Sequence, residues 1–139
     1  YHREQVETFA GTAADMICAI TVNYVEEAVG IARAAQRANM PVAISFTVET
    51  DGNLPTGQTL KAAIERVDAA TSGYPSYYMI NCAHPAHFDK TLGNEPWTRR
   101  IGGLRANASR RSHQELNDSA DLDAGSPVQI VKNQIPGAH

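Results

Sequence analysis

The sequence predicts an α/β fold built from parallel βα repeats. Short apolar runs alternate along the chain with segments whose apolar residues recur at helical spacing. The predicted strands start at residues 16, 42, 77 and 101, close to the roughly 30-residue period of a βαβ unit. Two architectures fit this order: a small doubly wound sheet, or about half of a (β/α) barrel, whose usual length is roughly 250 residues.

The composition describes one globular domain over residues 1–139, with 42% apolar and 19% charged residues. A net charge of -3 and a pI near 5.9 disfavour a nucleic-acid or anionic-membrane partner, which would select a basic surface. No run approaches the roughly 18 apolar residues of a membrane span. We therefore expect a cytoplasmic protein that acts on a small molecule. Two cysteines are too few for a secreted disulfide framework, so free thiols are expected.

The first half of the chain predicts two helices and two strands. Apolar residues at helical spacing indicate a helix over residues 2–14, and the apolar run 16–20 indicates a strand buried on both faces. Asn23 is predicted to cap the next helix, with Glu26 in the capping-box position three residues on. The run 42–47, which follows a proline, predicts the second strand.

The second half continues the alternation. A helical stripe begins at Leu60, and the aromatic and β-branched run 77–80 predicts the third strand. Residues 101–107 predict a fourth strand, in which two glycines would permit a close approach to the backbone. A capping-box pattern at residues 112–115 predicts a short helix, and a last helix is predicted over residues 128–133.

A polar cluster follows the third predicted strand and contains Asn81, Cys82 and His84. In parallel α/β folds, ligands collect at the carboxyl ends of strands, because the loops there open away from the core. Cys82 is therefore the first candidate for a catalytic or metal-binding residue, and the alternative is a buried structural thiol. His84 and His87 could hold a metal with Cys82, as in a metal hydrolase, or His84 could contact a substrate.

Polar residues also end the other predicted strands. Thr21, Ser45 and Asn107 take such positions and, with Asn81, could hydrogen-bond the carboxylate or amine of a substrate. They could equally satisfy the loop backbone, as asparagines do at turns. Cys18 lies in the first predicted strand and is expected in the core.

Several stretches resemble the homocysteine S-methyltransferase family along essentially the whole chain. The main ones are Ile-Asn-Cys at residues 80–82 and Gly-Leu-Arg-Ala-Asn-Ala-Ser at residues 103–109. Further similar stretches are residues 41–46, 51–57, 112–116 and 122–125. Their order and spacing together make the resemblance specific. It implies a zinc-dependent (β/α)8 TIM-type barrel, of which this chain looks like about four strands, the fourth to the seventh.

The resemblance also implies an activity. The family moves a methyl group from a donor such as S-methylmethionine or betaine to the sulfur of homocysteine, which gives methionine. Its zinc is held by three cysteines, and Cys82 matches the one that follows an asparagine. The other two lie in a Gly-Gly-Cys-Cys motif that this sequence lacks, so the resemblance implies an inactive carboxy-terminal-half fragment. Many members carry a glutamate in place of Ile20 to hold the substrate's ammonium, which leaves the substrate open.

Cysteine ligands suit this chemistry. Homocysteine is a poor nucleophile as a thiol, and a thiolate-rich zinc site deprotonates it and keeps its sulfur electron-rich. Three protein ligands leave the fourth tetrahedral position open for the substrate. A different class of function also fits the sequence, namely a non-catalytic α/β module that binds a small ligand at the strand ends. An open half barrel would expose two strand edges, so self-association or a need for the missing half is expected.

Overall fold

The computed structural model describes residues 1–89 and 91–125. Within them, four strands form one sheet: β1 (Ile17–Val22), β2 (Val42–Thr47), β3 (Tyr77–Asn81) and β4 (Ile101–Arg105). The helices are α1 (His2–Ala10), α2 (Val25–Arg37), α3 (Leu60–Thr71), α4 (Pro85–Phe88) and α5 (His113–Asn117), with a 3₁₀ helix at Pro96–Arg100. The helix predicted over residues 128–133 lies outside the described residues.

The strand order decides between the two predicted architectures. The order is β1-β2-β3-β4, and each neighbouring pair is parallel. A doubly wound sheet reverses its strand order at a switch point, whereas a barrel adds each strand beside the last. The described residues therefore form an α/β arc of the kind found in a TIM-type barrel, and their sheet is not closed.

One face of the sheet packs against the helices and forms the core. Ile44 and Phe46 of β2 and Tyr78 of β3 are buried there, and the Phe46 and Tyr78 rings stack with centroids 6.0 Å apart. Helix α2 packs on them through Ala28, Ala32 and Ala35, each with no exposed surface. These small side chains allow the helix to lie close to the sheet. Each large apolar side chain buried here stabilises the fold by about 1.5–3 kcal/mol.

The opposite face of β1 is uncovered, which corrects two predictions. Cys18 is exposed rather than in the core, and Ile20, on the same face, is 48% exposed. The continuous apolar run suggested burial on both sides of β1. Among the described residues, however, β1 is an edge strand with helices on one side only. Alternate side chains of this strand therefore face solvent.

Two helix ends also differ from the prediction, and a third confirms it. Helix α1 stops at Ala10, four residues early, and Gly11 follows it as the C-cap. Helix α2 begins after Tyr24 without a side-chain cap, so the predicted Asn23 capping box is wrong, and Glu26 instead pairs with a helix α3 residue, Arg66. The capping box at the start of α5 is confirmed in full.

The two glycines of β4 accommodate side chains of the neighbouring strand. The register of β3 and β4 shifts between Tyr78 and Met79. A Cβ placed on Gly102 would lie 2.9 Å from Cγ of Tyr77, and one on Gly103 would lie 3.0 Å from Cε of Met79. These glycines therefore permit the expected close approach, in which the side chains of Tyr77 and Met79 pack on the β4 backbone.

Candidate functional site

The carboxyl ends of β1, β2 and β3 are joined by the side chain of Asn81. Its Oδ1 accepts hydrogen bonds from the backbone N–H of Thr21, at 3.1 Å, and from the Ser45 hydroxyl, at 2.5 Å. Its Nδ2 donates to Oγ1 of Thr47 at 3.2 Å. Three of the residues predicted to form the site, Thr21, Ser45 and Asn81, thus meet in one network. Since Ser45 and Asn81 are almost fully buried, much of their hydrogen-bonding capacity serves to hold the strand ends together.

Thr21, which belongs to this network, and Cys82, which follows Asn81, both have a left-handed backbone. Thr21 has φ 61° and Cys82 has φ 58°. For residues other than glycine this conformation stores about 1–3 kcal/mol of strain, and such strain gathers at functional sites. Both residues are held in place by hydrogen bonds. The N–H of Thr21 is bound to Asn81, and the N–H of Cys82 donates to the Arg105 carbonyl at 3.2 Å.

The carbonyl of Cys82 is held by a histidine that the sequence analysis did not single out. Nε2 of His113 contacts the Cys82 carbonyl oxygen at 2.5 Å, and Nδ1 of the same ring lies 3.1 Å from Oε1 of Glu49. Burial lowers the pKa of His113, but the hydrogen bonds to Cys82 and Glu49 oppose it, and the pKa lies above its ordinary value. A carbonyl and a carboxylate both accept hydrogen bonds, so the doubly protonated form of His113 can donate to Cys82 and to Glu49 at the same time.

A cavity opens at this end of the sheet. Its volume is about 420 Å³, within the range of small-molecule sites. Cys82, Thr21, Glu49 and His113 all contribute to its wall. Oδ1 of Asn23 also belongs to this region and is buried without a hydrogen-bond partner among the described residues. The wall of the cavity therefore includes a cysteine, a glutamate and a histidine.

The comparison with known families gives a specific result. The model of the homocysteine S-methyltransferase family matches residues 1–129. The chain belongs to the homocysteine S-methyltransferase family. No curated protein matches the chain at a significant level. For a member of this methyltransferase family, small-molecule substrates are expected, and the cavity lies at the strand ends where such enzymes act. Within the described part of the chain, no helix has both the length and the apolar character needed to cross a membrane.

Thr21 and Cys82 line this cavity, whereas four predicted site residues do not: Ser45, Asn81, His84 and Asn107. His84 is 1% exposed, and its Nδ1 accepts the backbone N–H of Ala86, which caps helix α4. Burial, followed by the charges of Arg110 and His87, lowers the pKa of His84. Asn107 donates its backbone N–H to the Ala83 carbonyl at 2.9 Å. A substrate contact by His84 or Asn107 stays a prediction.

The family uses zinc, which needs several ligands arranged around one point. Among residues 1–89 and 91–125, no three His, Cys, Asp or Glu side chains are arranged as a metal site. Cys82 offers one thiolate, while Cys18 lies within β1 with its Sγ 4.0 Å from Sδ of Met79. His87 already uses Nε2 on the Arg110 carbonyl. The described residues therefore include Cys82 as a possible ligand but not a complete set of zinc ligands.

Proposed function

We propose that this chain is part of an enzyme that transfers a methyl group from a donor such as S-methylmethionine or betaine to homocysteine. The observation that carries the proposal is the place of Cys82. It follows Asn81 at the end of β3, has a constrained backbone and lines the 420 Å³ cavity of a homocysteine S-methyltransferase family member. A cytoplasmic location belongs to the same proposal.

Cys82 would supply one of three zinc ligands in the complete site. Zinc bound by thiolates lowers the pKa of a substrate thiol and leaves the sulfur nucleophilic. The remaining ligands would come from residues other than those described, because Cys82 is the only cysteine in the wall of this cavity among them. The 139-residue chain alone is thus expected to bind zinc weakly and to lack methyl transfer.

The polar residues around Cys82 would bind and orient the amino acid. Thr21 lines the cavity and is within reach of a substrate, whereas buried Ser45 acts by fixing the Asn81 amide. His84 and Asn107 remain proposed contacts on the β3 and β4 sides. Ile20 provides no carboxylate for a substrate ammonium, so homocysteine as the acceptor is tested by direct assay.

The test measures zinc content and homocysteine methylation, with S-methylmethionine and betaine as alternative donors. Both are measured on the 139-residue chain and on a complete family barrel that contains it. The variants are Cys82→Ser and, as the matched control, Cys18→Ser. We expect one zinc per complete barrel, methyl transfer by that form only, and loss of both in Cys82→Ser but not in Cys18→Ser.

Other outcomes would redirect the proposal. A complete barrel that holds no zinc, or that works without Cys82, would reduce the family membership to a shared fold. Zinc binding that survives Cys82→Ser would favour a hydrolase based on His84 and His87. Tight binding of a small ligand by the folded 139-residue chain, without turnover in either form, would favour a binding module.

A further inference from the structure

We propose that His113 is a positioning residue that fixes the direction of the Cys82 thiol, and that Glu49 fixes His113 in turn. The inference goes beyond the proposed zinc site, because neither His113 nor Glu49 is a ligand in it. The inference rests on the proposed function only in taking the Cys82 thiol to be a zinc ligand. The positioning itself can be measured on the chain without zinc.

Hydrogen bonds on both sides of Cys82 hold its backbone in place. The backbone of Cys82 is left-handed, and a cysteine does not adopt this conformation without support. Its N–H is held by the Arg105 carbonyl at the end of β4, and its carbonyl by Nε2 of His113. The two peptide groups that flank the Cys82 side chain are therefore both tied, and the direction of Cα–Cβ is set between them.

The histidine is itself held from two sides. Ser112 and Glu115 form a reciprocal capping box that starts α5 and places His113 at its first position. Glu49, just beyond β2, contacts the other ring nitrogen at 3.1 Å. The ring thus joins the β2 loop, the end of β3 and α5 at the wall of one cavity.

The experiment measures alkylation of Cys82 by iodoacetamide at one fixed pH. The parent is the 139-residue chain with Cys18→Ser, so that one thiol remains. The variants are His113→Phe, which removes both hydrogen bonds, and His113→Gln, which keeps an N–H donor for the Cys82 carbonyl. The matched control is His87→Phe, which removes a histidine hydrogen bond to a different loop carbonyl, that of Arg110, at 2.9 Å. Melting temperature and circular dichroism establish that each variant is folded at the assay temperature.

We expect His113→Phe to slow alkylation at least threefold, because the released Cys82 backbone relaxes and turns the thiol away from the cavity. His113→Gln should stay within twofold of the parent, as should His87→Phe. Glu49→Leu, which removes the acceptor for Nδ1–H, should also slow alkylation, whereas Glu49→Gln, which retains an acceptor, should stay within twofold. In the complete barrel, His113→Phe should lower zinc affinity while His113→Gln preserves it.

Several results would overturn the inference. If His113→Phe lowers the melting temperature but leaves the alkylation rate unchanged, His113 is structural only. If His113→Gln is as slow as His113→Phe, the charge of the ring acts on the thiol and its hydrogen bond does not position it. Failure of the proposed function is separate: a complete barrel without zinc would leave the alkylation result standing.

Discussion

Asn81 is the residue whose side chain unites three strand ends. Replacing it with alanine would leave the Ser45 hydroxyl, the Thr21 N–H and the Thr47 hydroxyl without their partner in a buried region. We expect Asn81→Ala to lower the free energy of unfolding by about 1–3 kcal/mol, the usual penalty for unsatisfied buried polar groups. Urea unfolding followed by circular dichroism measures this change.

The control for this prediction is Asn23→Ala. Oδ1 of Asn23 is buried without a partner among the described residues, so its removal should change the free energy of unfolding by no more than about 0.5 kcal/mol. Equal losses in the two variants would show that the hydrogen-bond network adds nothing beyond packing.

The site was predictable at the residue scale only in part. Thr21, Ser45, Asn81 and Cys82 could be expected to converge, because each ends a strand and parallel strands share one carboxyl edge. His113 could not be assigned this role, since its ring reaches Cys82 from a helix that starts 31 residues later. The short motif around it was visible in the sequence, but the direction of its side chain depends on how α5 packs.

At the scale of elements, replacing a glycine should have opposite effects on stability in helix α2 and in strand β4. Gly30 lies in α2 with open space where a Cβ would be added, whereas Gly102 lies against the Tyr77 ring. Gly30→Ala should raise the free energy of unfolding by about 0.5–1 kcal/mol through helix propensity. Gly102→Ala should lower it by about 1–3 kcal/mol through overpacking. Thermal and urea unfolding of both variants measures the difference, and a stabilising Gly102→Ala would contradict the packing of Tyr77 on β4.

An ion pair joins α3 to the 3₁₀ helix that leads into β4. Nε of Arg100 lies 2.9 Å from Oδ2 of Asp68, and Tyr78 donates its hydroxyl to Oδ1 of Asp68 at 2.8 Å. The two charged side chains are 30% and 26% exposed, so solvent screens part of the attraction. We expect Arg100→Met to lower the free energy of unfolding by about 1–2 kcal/mol. The neighbouring exposed Arg99→Met should have almost no effect in the same urea titration, and a similar loss there would point to general charge instead.

The elements were predictable where a buried pattern was continuous. The strand predicted at residues 42–47 matches β2, because its side chains are buried on both faces and its neighbours pair on both sides. The edge strand β1 has the same apolar pattern, but some of its side chains are exposed. Burial depends on what covers the sheet, which the pattern within one strand does not show. The prediction of an Asn23 cap was wrong for a related reason. Helix α2 begins at Val25, so its N-cap is Tyr24, one residue later than predicted, and a cap depends on where the chain turns.

At the scale of the whole molecule, the sheet of the described residues has two edge strands, β1 and β4, and one face of β1 is exposed. Self-association of the 139-residue chain, expected from the sequence, remains a prediction. Exposed apolar residues support this prediction. Ile20 on β1 is 48% exposed, and Met16, which precedes β1, is 38% exposed. Strand edges with free N–H and C=O groups beside an apolar face favour pairing with another chain.

The prediction is tested by sedimentation velocity over a range of concentrations, together with binding of an apolar dye. We expect the chain to form dimers or larger species, and Ile20→Lys to shift it toward monomer, because a charge on the uncovered face opposes burial there. Leu122→Lys is the matched control, since Leu122 is 94% exposed and lies outside the sheet. A parent chain that stays monomeric and binds no dye would contradict the prediction, as would equal effects of the two lysines. The contrast between them assigns any association to the open face of β1, where the rest of a barrel would otherwise pack.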